Sequence, residues 1–303
     1  MELHQLRYFV AVMDTGSFGK AAVRCAVAQP SLSQQVIKLE KELGKPLFDR
    51  LGRSIAVTEA GRLLYPRAKR ILTEVENART SVAEDVEAGL GKLMVGAIPT
   101  VAPYLLPDAI AAFRQAWPNA ELSITEDITR NLVRMLIDSE IDLAIMAAPI
   151  EDHRLAVEQI AHEPLVCVVD KGHPLGGRKR VRFDELTDQP SIVLHEVHCL
   201  SQQVNAFCVD RGVQPRIVCH AAQLSTLLRL VDLGLGLSLV PQTAVASYAG
   251  QLKVVPLVGP PMLRRLVVVW NASRHRPHLG TRFIEQLRAT AAASPDLEAI
   301  APA

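Results

Sequence analysis

The sequence predicts an α/β protein with an N-terminal winged helix-turn-helix and a long linking helix ahead of the α/β part. Three observations predict it. The first 43 residues carry apolar side chains at helical spacing with two tight breaks, an unbroken helical pattern starts at residue 59, and beyond residue 90 short apolar runs alternate with helical segments. A chain of 303 residues, 49% hydrophobic, can fill more than one packed core. Its longest apolar run, around Leu233 to Pro241, is too short to span a bilayer, and MELHQLRYF lacks a basic stretch before an apolar signal core. A soluble, cytoplasmic protein with no membrane partner is expected. The five cysteines, Cys25, Cys167, Cys199, Cys208 and Cys219, are odd in number and sparse, which predicts resting thiols rather than a disulfide framework.

In LHQLRYFVAVMDT, Leu3, Leu6, Phe9, Val10 and Met13 recur at helical spacing, and Gly16 ends the helix. Ser17 is positioned to cap a second helix carrying Phe18, Ala21, Ala22 and Cys25 and ending near Ala26, with Cys25 read as a small buried apolar residue. After the turn VAQ, Pro30 fits the first turn of a third helix whose Leu32, Val36, Leu39 and Leu43 form one apolar stripe, stopped by Gly44. Ser31, Ser33, Gln34, Gln35 and Lys38 point away from that stripe. Two helices joined by a tight turn, the latter with small polar and amide side chains near its start, can enter a major groove. PLFDRLGRSIAVT adds two short apolar runs around a turn with Arg50 and Arg53, the form of a basic wing. Expected DNA contacts are Ser31, Ser33, Gln34 and Lys38 in the major groove, Gln29 and Arg50 on phosphates, Arg53 at the wing tip, and Pro30 at the start of the recognition helix. A purely structural three-helix bundle is the alternative.

Charge divides the chain in the same way. Residues 1–72 carry 12 Lys+Arg against 6 Asp+Glu, and the remainder carries 33−12 = 21 against 32−6 = 26, so +6 sits beside −5. A basic N-terminal third fits a polyanionic partner, although a solvated surface would read alike.

Thr58 is placed to cap a helix over about 59–88, in which Leu64, Ala68, Ile71, Val75, Ala78 and Val82 follow one another by 4, 3, 4, 3 and 4. This heptad seam predicts a dimer interface, with one-sided packing as the alternative. Gly89 and Gly91 end it as a hinge. Beyond Lys92 the strands KLMVGAI, ELSITE, DLAIMAA, PLVCVVD, PSIVLH, PRIVCH, GLSLVP, LKVVPL and RRLVVVW alternate with helices, predicting a mostly parallel sheet. Ligands in such sheets collect where strands hand over to helices, and Thr100, Thr129 and LHEVHC lie at such junctions.

The run FGKAAVRCAVAQPSLSQQVIKLEKELGKPLFDRLGRSIAVTEAGRLL resembles the DNA-binding signature of the LysR-type transcriptional regulators, and the later element order resembles their periplasmic-binding-protein-like effector domain. Within that family, IPTVAPYLLP, HCLSQQVNAFC and LSTLLRLVDLGLGLSLVP resemble the hydrogen-peroxide-sensing subfamily, with Val197 standing where those sensors usually carry glycine. The resemblance implies a winged helix-turn-helix over 1–58, a linking and dimerisation helix over 59–89, and a regulatory domain over 90–303. The latter divides into subdomain I (about 90–162 and 267–303) and subdomain II (about 163–266), crossed twice by the chain. It implies no cofactor and no enzymatic activity. Double-stranded promoter DNA, hydrogen peroxide and RNA polymerase are the implied partners, with homodimers pairing into homotetramers.

The chemistry that resemblance implies needs a reactive thiolate and a second thiol to capture its sulfenic acid. Cys199, at a helix start beside His198, suits the peroxidatic role, and Cys208 the resolving role. Thr100, Thr129 and His198 match residues that line the peroxide pocket, with an arginine, Arg264 or Arg265, beside them. Helix capping is the ordinary role for both threonines. Cys167 and Cys219 look like strand residues and read as inert core thiols. If 199–208 is helical, nine residues rise about 13.5 Å, whereas a disulfide tolerates about 7 Å between Cα atoms, so bonding would require unwinding. The competing readings are a regulator whose cleft binds a small organic effector, its cysteines incidental, and a thiol peroxidase. HEVH misses the HExxH zinc motif by one residue and no CxxC occurs, so no metal site is expected; P-loop, dinucleotide and GxSxG motifs are equally missing.

Overall fold

The computed structural model describes residues 1–51, 54–83, 90–274 and 276–299, in two compact units that divide near Glu84. Arg53 and Gly89 lie outside the described residues, as do the side chains of Arg50 and Val82.

In the first unit α1 (Leu3–Thr15), α2 (Phe18–Arg24) and α3 (Gln29–Leu43) pack around Leu6, Phe9, Val12, Leu32, Val36 and Leu39. Gly16 ends α1 in the left-handed region at φ 64°, where a side chain would be strained, and the Ser17 hydroxyl accepts from the Lys20 amide to start α2. Leu3 and Leu43, expected on the apolar stripes, are exposed, because each sits at a helix end beyond the reach of the neighbouring helices. The second helix stops at Arg24 rather than Ala26, whose φ of 54° begins the turn. The wing is a hairpin, β1 (Phe48–Leu51) with β2 (Ser54–Val57). It is anchored where the Leu47 and Phe48 amides donate to Glu40 and where the Phe48 ring packs 5.5 Å from Phe9 and 5.6 Å from Phe18.

The long helix α4 (Glu59–Ala83) is capped as expected, the Thr58 hydroxyl accepting from the Gly61 amide at 3.0 Å. The seam requires a correction. Ala68 is fully buried in the first unit's own core and Leu64 packs beside it, while Ile71 and Ala78 are exposed and Val75 is half-buried. A 3.5-residue period serves either kind of packing, and α1 takes the first two positions.

The second unit continues with β3 (Gly91–Ala97), α5 (Ala102–Ala116), β4 (Ala120–Glu126), α6 (Thr129–Ile137), β5 (Leu143–Ala147) and β6 (Leu155–Val169). After two 3₁₀ turns come β7 (Pro190–Leu194), α7 (Cys199–Asp210), β8 (Arg216–Ala221), α8 (Leu224–Asp232), β9 (Ser238–Pro241) and α9 (Gln242–Ala246). β10 (Lys253–Val255), β11 (Met262–Asn271), α10 (His278–Ala293) and β12 (Glu298–Ala299) complete it. β3 pairs in parallel with β4 and β5, and β7 with β8. The expectation of a mostly parallel sheet is corrected, because β6 and β11 run antiparallel to each other and β6 also pairs antiparallel with β9, β10 and β12. PLVCVVD is only the second half of β6, whose first half carries too many polar residues to read as strand from sequence.

β6 and β11 form one ribbon that serves two separate cores. The first contains Leu93, Val95, Phe113, Leu132, Ile145 and Phe283 and takes Ile160, Ala161 and Leu266 to Val269 from the ribbon. The second contains Ile192, Leu200, Leu227, Val231 and Val240 and takes Leu165, Cys167 to Val169 and Met262. The register slips between Leu266 and Val267, where Leu266 faces Ala161 and Val267 faces Gln159, leaving Ile160 as an extra residue at the changeover.

Candidate functional site

Cys199 opens α7 and Cys208 lies near its end, so one unbroken helix separates them by nine residues, a rise of about 13.5 Å. Both are free thiols. Their surroundings differ. Cys199 is half-buried and packs against the first core, whereas Cys208 is 4% exposed and belongs to the second. Burial pushes the Cys208 thiol up, with Arg211 opposing. Cys208 also lines a 240 Å³ cavity beneath α7, bounded by Leu200, Val204, Leu227 and Leu239.

His198 is the N-cap residue of α7 and makes no side-chain cap. Its Nε2 lies 2.9 Å from the Ala222 carbonyl oxygen, which can only accept, so Nε2 carries a hydrogen and donates there.

The two threonines do not cap. The α5 N-cap is Val101, and the Thr100 hydroxyl oxygen instead accepts from Arg264 Nη1 at 2.9 Å, while Arg264 Nη2 donates to the Thr100 carbonyl at 2.8 Å. Because the guanidinium donates, the Thr100 hydroxyl hydrogen is left for another acceptor. Thr129 Oγ1 is buried without a hydrogen-bond partner in the protein, a state that ordinarily costs about 1–3 kcal/mol.

The structure separates the two arginines. Arg264 is 2% exposed and pairs through Nε with Glu163 Oε2 at 2.5 Å, while Arg265, next along the strand, points outward and is exposed. The geometry brings Arg264, but not Arg265, to Thr100.

Sequence reasoning missed Gln203 and Glu163. Gln203 is one helical turn from Cys199 on the same face; its Nε2 donates to the Ala148 carbonyl at 2.8 Å and its Oε1 is buried without a partner. The i, i+4 spacing from Cys199 was the available signal. Glu163 carried none, since its partner lies 101 residues away. Cys167 is fully buried and its thiol is pushed up to about 12, first by burial and then by the nearby Cys208. Cys25 and Cys219, expected to be buried, are only half-buried. Among the described residues no group of three or more His, Cys, Asp or Glu is placed to hold a metal, and no helix is long and apolar enough to cross a membrane.

On the first unit, Gln29, Pro30, Ser31, Gln34 and Lys38 are exposed along the start and outer face of α3, and Ser33 is half-buried. Gln35 is held by Gln5, whose Nε2 donates to it at 3.2 Å. The N-cap Ala28 supplies no side-chain cap, which leaves the first amides of α3 open to an acceptor such as a phosphate.

Comparison with known proteins agrees with both units. Residues 3–62 match the bacterial regulatory helix-turn-helix protein, lysR family, and residues 87–292 match the LysR substrate binding domain. A hydrogen peroxide-inducible genes activator of Dickeya chrysanthemi is 36% identical over 81% of this chain and 80% of its own length. The DNA-binding transcriptional dual regulator OxyR of Escherichia coli is 33% identical over 89% of this chain and 90% of its own. Among solved structures, a full-length OxyR from Pseudomonas aeruginosa superposes with a TM-score of 0.76 at 30% identity, covering 95% of this chain and 98% of that one. An H2O2-bound OxyR mutant from Corynebacterium glutamicum gives 0.63 at 33% identity, covering 95% and 94%. This chain belongs to the LysR family of bacterial transcriptional regulators, in its OxyR subfamily.

Proposed function

We propose that the protein is a DNA-binding regulator that senses hydrogen peroxide through Cys199 and registers it by a Cys199–Cys208 disulfide. The observation that carries this reading is the placement of two free thiols on one intact helix, each in a different core. The Cys199 thiolate attacks one peroxide oxygen, the O–O bond breaks and hydroxide leaves, giving the sulfenic acid, and the hydroxide takes up the proton released when Cys199 ionised to become water. The Cys208 thiol then attacks that sulfur and water leaves. Thr100, Thr129, His198 and Gln203 are the groups that would hold the peroxide, and Arg264 would stabilise the developing hydroxide through the hydroxyl it orients. Closing the disulfide brings Cα atoms about 13.5 Å apart to within about 7 Å, so α7 must unwind.

The helix-turn-helix would place Ser31, Ser33, Gln34 and Lys38 in the major groove of promoter DNA, with Gln29, Arg50 and Arg53 on the backbone. The open part of the α4 seam would pair two chains, dimers would pair into tetramers, and RNA polymerase would be the partner at the promoter. The regulatory domain from 90 onward would act as sensor rather than enzyme. Mass spectrometry after stoichiometric peroxide tests the reading: a 199–208 disulfide is expected, and a pair that stays reduced would overturn it in favour of a small organic effector.

A further inference from the structure

Four side chains join the two cores through hydrogen bonds that no motif accounts for. The Thr243 hydroxyl on α9 donates to Glu163 Oε1 on β6, Glu163 Oε2 accepts from Arg264 Nε on β11 at 2.5 Å, and the two Nη groups of Arg264 grip the hydroxyl and carbonyl of Thr100. Glu163 and Arg264 face each other directly across the ribbon, at 1% and 2% exposure, between the first core and the second. α7 reaches the same place: Gln203 on the Cys199 face donates to the Ala148 carbonyl, and the Ala148 amide donates to the Arg265 carbonyl. Cys199 packs on the core that holds Ile98 and Val101, two positions before and one position after Thr100 in the chain.

We propose that Glu163 is a positioning residue for the Cys199 reaction, locking the Arg264 fork onto Thr100 and setting how much of the guanidinium charge reaches the pocket. This rests on Cys199 being the peroxide-reactive thiol. An arginine buried alone would present its full charge to a nearby thiolate and would be free to swing; paired with a carboxylate through Nε, it is aimed and largely neutralised, and only its Nη groups point onward. Thr243 fixes the carboxylate from the other side, so α9 senses the same network. The other titratable group facing it is Tyr104 from α5, which feels Glu163 and Arg264 and also Glu126.

Two variants of the full chain separate charge from geometry. Glu163→Gln keeps an oxygen for Arg264 Nε and removes the charge, with the Thr243 hydroxyl turning to accept from the new amide NH2, and the pH midpoint of iodoacetamide alkylation at Cys199, followed by mass spectrometry, is expected to fall by about half a unit or more. Glu163→Asp keeps the charge one methylene short of Arg264, and is expected to leave the midpoint in place while slowing peroxide oxidation of Cys199 about tenfold. A brace without influence on the pocket would change melting temperature but neither readout, and folded variants with wild-type midpoint and rate would overturn the proposal. Should Glu163→Gln not fold, the Glu163→Asp rate decides alone, a wild-type rate overturning the proposal. Wild-type Cys199 inert to peroxide would sink the sensing reading, while the alkylation midpoints would still report on Glu163.

Discussion

A proline at position 205 isolates the energetic role of α7. Asn205 is exposed and lies in the middle of the twelve-residue helix Cys199–Asp210, so replacing it disturbs no tight packing. Proline there removes the amide that bonds the Ser201 carbonyl and sets its ring against that carbonyl, a penalty of about 3 kcal/mol. If the helix exists only in the reduced form, the whole penalty falls on the dithiol. At about 1.4 kcal/mol per decade the Asn205→Pro variant should favour the 199–208 disulfide about a hundredfold, lowering its reduction potential by about 60 mV. Asn205→Ala improves helix propensity by about 0.5 kcal/mol and should raise the potential by about 10 mV. The assay is equilibration in graded glutathione buffers with the disulfide quantified by mass. A proline variant whose potential is unchanged, or moves upward, would show that α7 does not unwind when the bond forms.

Three further outcomes are expected. Cys167 ionises at about 9 when unfolded and at about 12 in the fold, so the folded state holds that proton more tightly: the contribution is intact below pH 9 and is lost as pH rises towards 12. Wild type should therefore lose about 1.4 kcal/mol more than Cys167→Val between pH 8 and pH 10, read by urea denaturation, and parallel pH curves would contradict the assignment. Arg264→Met leaves the Glu163 carboxylate buried without its cation and should destabilise the regulatory unit by about 3–5 kcal/mol in the same assay; a change below about 1 kcal/mol would mean the pair is not closed in solution. Lys38→Ala should weaken binding to promoter DNA and relax discrimination at one base pair by about 1–3 kcal/mol, and unaltered discrimination would remove Lys38 from the major-groove contacts.

The helix-turn-helix was legible because its signals are local: Ser17 and Thr58 cap where they stand in sequence, Gly16 and Gly44 end the helices they follow, and apolar spacing marks the buried face. The seam in α4 was legible as a period but not as a partner, since Leu64 and Ala68 meet their own chain. For the regulatory unit, short-range pattern found most strands and helices and failed on β6, whose first half reads LAVEQIAHE and becomes strand only because β11 pairs with it from about a hundred residues away. The pocket followed the same division. Cys199, His198 and Cys208 could be marked from one helix, but choosing Arg264 over Arg265 needs the strand's inward face, and finding Glu163 needs the cross-strand register.

The additional residue at Ile160 decides which side of the ribbon that charged pair occupies. Along β6 the buried set runs 161, 163, 165, 167 after the irregularity, whereas the buried residue adjoining it on the other side is Ile160, out of step with that set. Because neighbouring strand residues alternate sides, shortening the strand by that single position would rotate Glu163, Leu165 and Cys167 towards water or force β11 to slip against them. A one-residue deletion there would thus disturb the alignment of Glu163 with Arg264 and Thr100, and insertions or deletions between Leu155 and Glu163 should be tolerated far less than the apolar-to-apolar exchanges possible at the same sites.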